Sequence, residues 1–300
     1  MTLMEFNPLP TVPVAFDMET SDPDDVFTLC VLATHPRVEL LSVTVTPGSD
    51  EQVGVVRHVL GLLGRFSVPV GGSMASNPKH VSEFHRKWLG DVPPARPDGS
   101  GPDVLAEALR RRPDAVLLTG APLKNPGAML KAHQGVRMAA WVAQGGFAGD
   151  SVVPPEHRLE KFAGRETCPT FNFNGAPAFA KDMLASDRIG GRWLVSKNVC
   201  HGVVYDAEFH ARVGALPRRT PGVRLVHEGM SVYLAGRPEG KAFHDPLAAA
   251  VALDRGVCGF REVEVYRERG DWGSRLSPGT GTWIAVSVDM DRFFSTLTES

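Results

Sequence analysis

The sequence predicts an open, mainly parallel, doubly wound α/β sheet with covering helices, on three observations. Apolar, β-branched runs alternate with helical patterns along most of the chain, an order that calls for parallel strands joined by right-handed crossovers. The first apolar run empties directly into an acidic loop, and the second stops at Pro47-Gly48-Ser49, so polar residues collect at strand ends. No repeat, low-complexity tract or linker interrupts the pattern, which makes 1–300 one domain.

The elements follow in order. Residues 12–16 (Val-Pro-Val-Ala-Phe) read as a buried strand and 26–33 as an apolar helix. The β-branched run 38–46 is a second strand. Residues 51–63 place Val55, Val56, Val59, Leu60 and Leu63 at helical spacing and end at Gly64. A short strand at 68–72 opens a polar, Gly/Pro-rich loop over 73–100 that contains His80, His85 and Trp88, a length more typical of a functional loop than of packing. Alternation resumes with a helix at 104–112, a strand at 114–118, a helix at 124–133 and a strand at 136–143. An irregular stretch covers 144–174. Helices at 176–185 and 222–234 flank a strand at 192–196, and His244-Asp245-Pro246 opens an apolar helix over 247–253. The tail, 263–288, holds two or three strand-like runs, and 289–297 forms a closing helix.

Composition narrows the function. A net charge of −2 and a pI near 6.6 give no basic field for nucleic acid. Four scattered cysteines with no Cys-x-x-Cys pair suggest reduced thiols in a cytoplasmic protein. Neither a signal-peptide pattern at the start nor an apolar run approaching the ~20 residues that span a bilayer is present, so no membrane partner is expected.

The chemistry concentrates in Asp17-Met18-Glu19-Thr20-Ser21-Asp22-Pro23-Asp24-Asp25, five carboxylates in nine positions. Like charges raise one another's pKa, and a hard cation such as Ca²⁺ or Mg²⁺ would relieve them; a plain reading makes Asp22 or Asp24 the N-cap of the next helix. Asp245, before Pro246, reads by itself as an N-cap; beside the acidic loop it becomes a candidate remote ligand of the same cation, with His244 placed to donate a proton near it. Thr170-Phe171-Asn172-Phe173-Asn174 could bind a sugar through its amides and rings, or could fill core and turns. No nucleophile elbow, phosphate-cradling loop or dinucleotide fingerprint is present.

Taken together these pieces resemble the inosine–uridine-preferring nucleoside hydrolase superfamily over nearly the whole chain. The family's Asp-x-Asp-Pro-Gly-x-Asp-Asp loop is similar to residues 17–25, and its Gly-Asn loop to Gly48-Ser49. Its His-containing loop resembles 84–91, and its Thr-Gly-Pro-Leu-Thr-Asn resembles 119–125. Its Glu-Phe-Asn is similar to Thr170-Phe171-Asn172, and its His-Asp-Pro-Leu-Ala stands unchanged at 244–248. The closing Val-Asp-x-Asp-Arg-Phe-Phe is present at 288–294. The resemblance implies hydrolysis of the N-glycosidic bond of a nucleoside or nucleoside-like metabolite by metal-activated water, with one Ca²⁺ (Mg²⁺ as the substitute) and a homodimer or homotetramer. It makes Glu19, Asp25, Asp245 and the Thr119 carbonyl metal ligands, with Glu19 also the base. Asp24, Ser49, Asn172 and Thr170 become sugar contacts, Trp88 a base-stacking ring, and His244 or His85 the group assisting the leaving base.

Three departures bear on substrate. Glu19 stands for an Asp in a loop one residue longer, which leaves Asp22 as an alternative ligand; Ser49 stands for an Asn and Thr170 for a Glu. A protein that binds ribosylated ligands without turnover is the alternative reading. A phosphatase-like use of the acidic loop lacks a Lys partner and the matching downstream motifs.

Overall fold

The computed structural model describes residues 10–73 and 80–300. Its first half alternates β1 (Val12–Met18), α1 (Pro23–Thr34), β2 (Val38–Val45), α2 (Asp50–Leu62) and the short β3 (Val70–Gly71). There follow α3 (Glu83–Leu89), α4 (Gly101–Arg111), β4 (Val116–Thr119), α5 (Lys124–Ala132) and β5 (Met138–Gln144). The second half runs β6 (Thr167–Cys168), α6 (Phe171–Gly175), α7 (Pro177–Ala185), β7 (Ile189–Val195), α8 (Lys197–Cys200), β8 (Val204–Tyr205) and α9 (Ala207–Gly214). It closes with α10 (Pro221–Gly236), β9 (Lys241–Ala242), α11 (His244–Leu253), β10 (Cys258–Glu268), β11 (Asp271–Leu276), β12 (Thr282–Val288) and α12 (Met290–Thr298).

Ten strands form one sheet in the order β3-β2-β1-β4-β5-β7-β12-β10-β11-β6, parallel from β3 to β12 and antiparallel beyond. The expected fold class therefore holds. The chain winds outward from β1 in both directions, which makes the carboxyl ends of β1 and β4 the topological switch point where open α/β sheets form their ligand crevice. The strands are apolar on both faces because helices cover both: one core cluster gathers α1, α2, α10 and α11 with β1 and β2, and a second gathers α4, α5 and α7 under β4 and β5.

Several boundaries moved for physical reasons. Strand β1 runs two residues past Phe16, carrying Asp17 into the sheet opposite Thr44 and Thr119. Helix α1 begins at Pro23, because proline's missing N–H and fixed φ suit a first turn. Asp22 sits at its N-cap yet makes no capping bond. The expected loop over 73–100 contains α3, opened by the Ser82 hydroxyl accepting from the Phe84 N–H; residues 74–79 lie outside the described ones. Helices α8 and α9 and the small β8–β9 pair were not legible from periodicity, being two to eight residues long.

Helix α1 is buried from Pro23 to Ala33, so its apolar pattern has no wet face. It meets α10 at Gly222, where an added Cβ would stand 1.8 Å from the Cys30 carbonyl oxygen and 2.6 Å from Thr34 Oγ1. The two helices cannot separate locally without opening the core beneath the acidic loop. Gly222→Ala is accordingly expected to destabilise by about 1–3 kcal/mol, the usual cost of forced overpacking. A denaturant midpoint equal to wild type would show that the helices do not approach this closely.

Candidate active site

The site lies where the N-termini of two helices meet. Helix α1 carries Asp24 and Asp25 inward in its first turn, each about 1% exposed, and α11 carries Asp245 inward in its own. Phe243, at the N-cap of α11, has no side-chain acceptor. Asp24 supplies one from the other helix: its Oδ2 accepts from the backbone N–H of His244 at 3.0 Å and of Asp245 at 3.2 Å. Its Oδ1 receives the Lys241 ammonium at 3.1 Å, and the same ammonium reaches Asp22 at 3.0 Å. Burial works to raise Asp24, but Lys241 and His244 hold it below the ordinary aspartate value. Burial works to lower Lys241, and Asp24 and Asp22 carry it above the lysine range.

Among the described residues Asp25 and Asp245 have no such counter-ion. Ligand oxygens of Asp24, Asp25 and Asp245 lie within 4.8 Å of one another. Burial, then the neighbouring carboxylates, push both Asp25 and Asp245 well above the ordinary value. Asp25 Oδ1 accepts the Glu19 N–H at 3.0 Å, whereas Asp245 Oδ1 is buried with no hydrogen-bond partner. Gly120 keeps the space between them open, since a Cβ there would stand 2.7 Å from Asp245 Oδ1 and 2.8 Å from Asp25 Oδ1. Lys241 is shared between Asp22 and Asp24, so Asp25, Asp245 and the neighbouring Glu19 hold an excess of negative charge that a divalent cation would reduce. An all-oxygen set with an orphaned oxygen fits a hard cation of this kind. Thr119 ends β4 next to Gly120, and its hydroxyl accepts from Trp141 Nε1 at 3.0 Å.

A second buried carboxylate set supports the first. Asp17 Oδ1 accepts from Thr44 Oγ1 at 2.6 Å and Asn125 Nδ2 at 2.8 Å, while its Oδ2 is unpartnered. Burial lifts Asp17 to about 7 against those two bonds. Asn125 also donates to the Val45 carbonyl and Thr46, so one amide ties β1, β2 and the start of α5 together beneath the loop.

Above the carboxylates opens a cavity of about 820 Å³, large enough for a small ligand. Glu19, Asp24, Asp25 and Asp245 line its floor. Glu19 is raised, first by burial, and its Oε2 accepts from the Ser21 N–H at 3.1 Å. Asn172 and Thr170 line one wall. Asn172 Nδ2 donates to the Gly120 carbonyl at 2.9 Å and Gln144 Oε1 at 2.7 Å; its Oδ1 and Thr170 Oγ1 are buried without partners. Of the two flanking phenylalanines, Phe173 is core, packed against Trp141 and Trp272, and Phe171 stands 71% exposed at the cavity mouth.

His244 also lines the cavity. Its Nδ1 faces the Cys200 carbonyl at 3.2 Å, and a carbonyl only accepts, so Nδ1 carries a proton and Nε2 is the free nitrogen. His201 lies against it, ring centroids 4.7 Å apart. Lys161 Nζ stands 2.6 Å from His201 Nδ1, which assigns the His201 proton to Nε2. Burial, with His244 and Lys161 nearby, lowers His201 to about 3, so this ring is a neutral donor.

Three expected contacts are not brought to the cavity. His85 is 1% exposed on the inward face of α3; its Nε2–H donates to the Thr20 carbonyl at 3.1 Å, and burial lowers it to about 4. Trp88, one turn on, packs against Phe27 with centroids 5.0 Å apart and fills the notch at Gly229. Spacing i, i+3 put both on the face that docks on α1 and α10, whereas Phe84 and Lys87 of the same helix reach the cavity. Ser49 is fully buried as the N-cap of α2, its hydroxyl accepting from the Gln52 N–H in a capping box. Lys241 beside the carboxylates, and His201, Gln144 and Lys197 in the cavity lining, are among the residues that sequence reasoning missed. None stands in a spacing pattern, so only the fold reveals them.

Known proteins agree with this architecture. A plant nucleoside hydrolase, PpNRh1, superposes with a TM-score of 0.69 at 18% identity, covering 97% of this chain and 98% of its own. A purine-preferring ribonucleoside hydrolase from Gardnerella vaginalis gives 0.67 at 19%, covering 95% and 98%. An inosine-uridine preferring nucleoside hydrolase from Bacillus anthracis gives 0.70 at 17%, covering 96% and 98%. At such identities these structures establish the shared fold. No curated protein matches the sequence significantly. The profile of the inosine-uridine preferring nucleoside hydrolases, however, matches residues 14–295. The chain therefore belongs to the inosine-uridine preferring nucleoside hydrolase family and is an N-ribosyl hydrolase.

Proposed function

We propose that this protein hydrolyses the N-glycosidic bond of a nucleoside or nucleoside-like metabolite, using one Ca²⁺ held by Glu19, Asp25, Asp245 and the Thr119 carbonyl. The observation that carries the reading is the orphaned, buried Asp245 Oδ1 beside Asp25, on the floor of the cavity. When bound, the cation orients and acidifies a water molecule and offsets the clustered negative charge. Glu19, its carboxyl raised by burial, accepts a proton from the attacking water at the floor. Asn172 Oδ1 accepts a hydrogen bond from a sugar hydroxyl, and the fixed carboxylates stabilise the positive charge that develops on the sugar ring. The departing base meets His244 Nε2, which takes up a proton, opposed by burial and favoured by Asp24 beside it, and passes it to the base nitrogen; Phe84 and Phe171 form the apolar surroundings. Asp24 acts chiefly as the clamp between α1 and α11, because both its oxygens are already bonded.

Calcium at a hundred times its Kd should stabilise the protein by about 2.7 kcal/mol, read as a raised Tm that a chelator reverses. Asp245→Asn should abolish that shift, and it should lower release of free base from a nucleoside panel by more than about 100-fold. Base release by the calcium-free variant at the wild-type rate would remove the metal from the reaction. Ligand-induced stabilisation with no base released from any nucleoside would instead favour a binding protein.

The two histidines should separate cleanly. His244→Ala is expected to lower kcat on ordinary nucleosides by roughly 10²–10⁴ while sparing a nitrophenyl riboside, whose leaving group needs no proton. His85→Ala, acting only through the Thr20 anchor, should lower both substrates equally. A selective loss in His85→Ala would give that residue a direct part in proton delivery.

A further inference from the structure

One wall of the cavity is basic and has no task in the hydrolysis described above. Lys197 and His201 line it, and Lys161 stands behind His201 at 2.6 Å. Lys161 and Lys197 lie 5.2 and 5.9 Å from the centroid of the same Phe162 ring, so their two ammonium groups share one small region. Among the described residues neither lysine has a carboxylate within ion-pairing distance, although acids are plentiful across the cavity floor. Lys197 spends one N–H on the Pro169 carbonyl at 3.0 Å, which fixes its ammonium at the residue next to Thr170 and leaves two N–H groups undirected.

Thr170 is the second observation. Its hydroxyl is buried on the cavity wall with no partner, and the residue is 4% exposed. The wall here presents donors: a hydroxyl, a fixed ammonium and the Nε2–H of His201 backed by a second ammonium. A phosphate offers acceptor oxygens and the charge to match these donors. On the floor, Asp24 is paired with Lys241, and Asp25 and Asp245 face the cation site.

We infer that this wall is an anion subsite and that the substrate is an N-riboside carrying a phosphate on its sugar, a nucleotide-like molecule rather than a neutral nucleoside. The inference rests on the hydrolase reading of the same cavity. The reaction remains a simple hydrolysis: water gives its hydroxyl to the anomeric carbon and a proton to the base nitrogen, the C–N bond breaks, and a sugar phosphate leaves with the phosphate ester untouched.

Binding tests the subsite without turnover. By calorimetry on the calcium-loaded protein, ribose 5-phosphate should bind about 10- to 100-fold more tightly than ribose, the range expected for charge-assisted hydrogen bonds. That preference should shrink with added salt and largely vanish in Lys197→Met, with Lys197→Gln as the second variant should the first fail to fold. Turnover is the companion measurement: kcat/KM for a nucleoside 5′-monophosphate should exceed that for its nucleoside, and Lys197→Met should lower the ratio about tenfold. Equal binding of the two sugars, or a preference that survives in the folded variant, overturns the subsite. So does a wild-type protein that cleaves nucleosides but refuses their monophosphates. A protein that prefers ribose 5-phosphate yet cleaves no N-glycoside would retain the subsite and lose only the hydrolase reading.

Discussion

Everything around the cavity depends on keeping charge balanced where water is scarce. Asp24, Asp25 and Asp245 are each at most 5% exposed, and a single unneutralised buried charge costs several kcal/mol. The protein meets this with three devices at once. Two helix N-termini point their positive ends at the cluster, Lys241 is buried beside it, and Asp24 takes both a backbone pair and the ammonium. What is left over is confined to Asp25 and Asp245, whose raised protonation shows the residual strain. A site arranged in this way keeps an excess of negative charge that a divalent cation would reduce.

The sheet makes that arrangement possible. Since β1 and β4 diverge in connection at their carboxyl ends, the loop after β1, Gly120 after β4 and the start of α11 reach one point without long excursions. Asn172 arrives from the opposite direction and bonds to the Gly120 carbonyl and Gln144, which closes the ring of elements around the floor. Its amide nitrogen is committed to holding backbone, so its exposed chemistry is that of the oxygen alone.

Much of this was legible before the structure. The alternation of strand and helix patterns sufficed for the parallel sheet, and the acidic loop with His244-Asp245-Pro246 was sufficient to anticipate their convergence. Direction and pairing were harder. Asp24 looked like a sugar ligand or a local cap, and it caps a helix 220 residues away. His85 and Trp88 looked exposed because the segment around them is Gly/Pro-rich. A seven-residue helix is too short for its buried face to register as periodicity, yet it turns both inward. Ser49 sat in a recognisable loop but had a stronger local offer from Gln52. Lys241 was invisible: a lone lysine after Gly240 reads as surface, and only the carboxylates arriving from the other end of the chain make it interior.

That span between Asp24 and the start of α11 has a consequence for biosynthesis. During translation at 5–20 residues per second, 220 residues take roughly 10–40 s to follow α1 out of the ribosome. Throughout that interval the acidic first turn of α1 has neither Lys241 nor the α11 backbone to bond, and burying it would be uphill. The native partners of that turn are therefore complete only once residues 241–245 have been made. Completion of the chain, rather than emergence of its first strands, sets the moment at which this centre assembles.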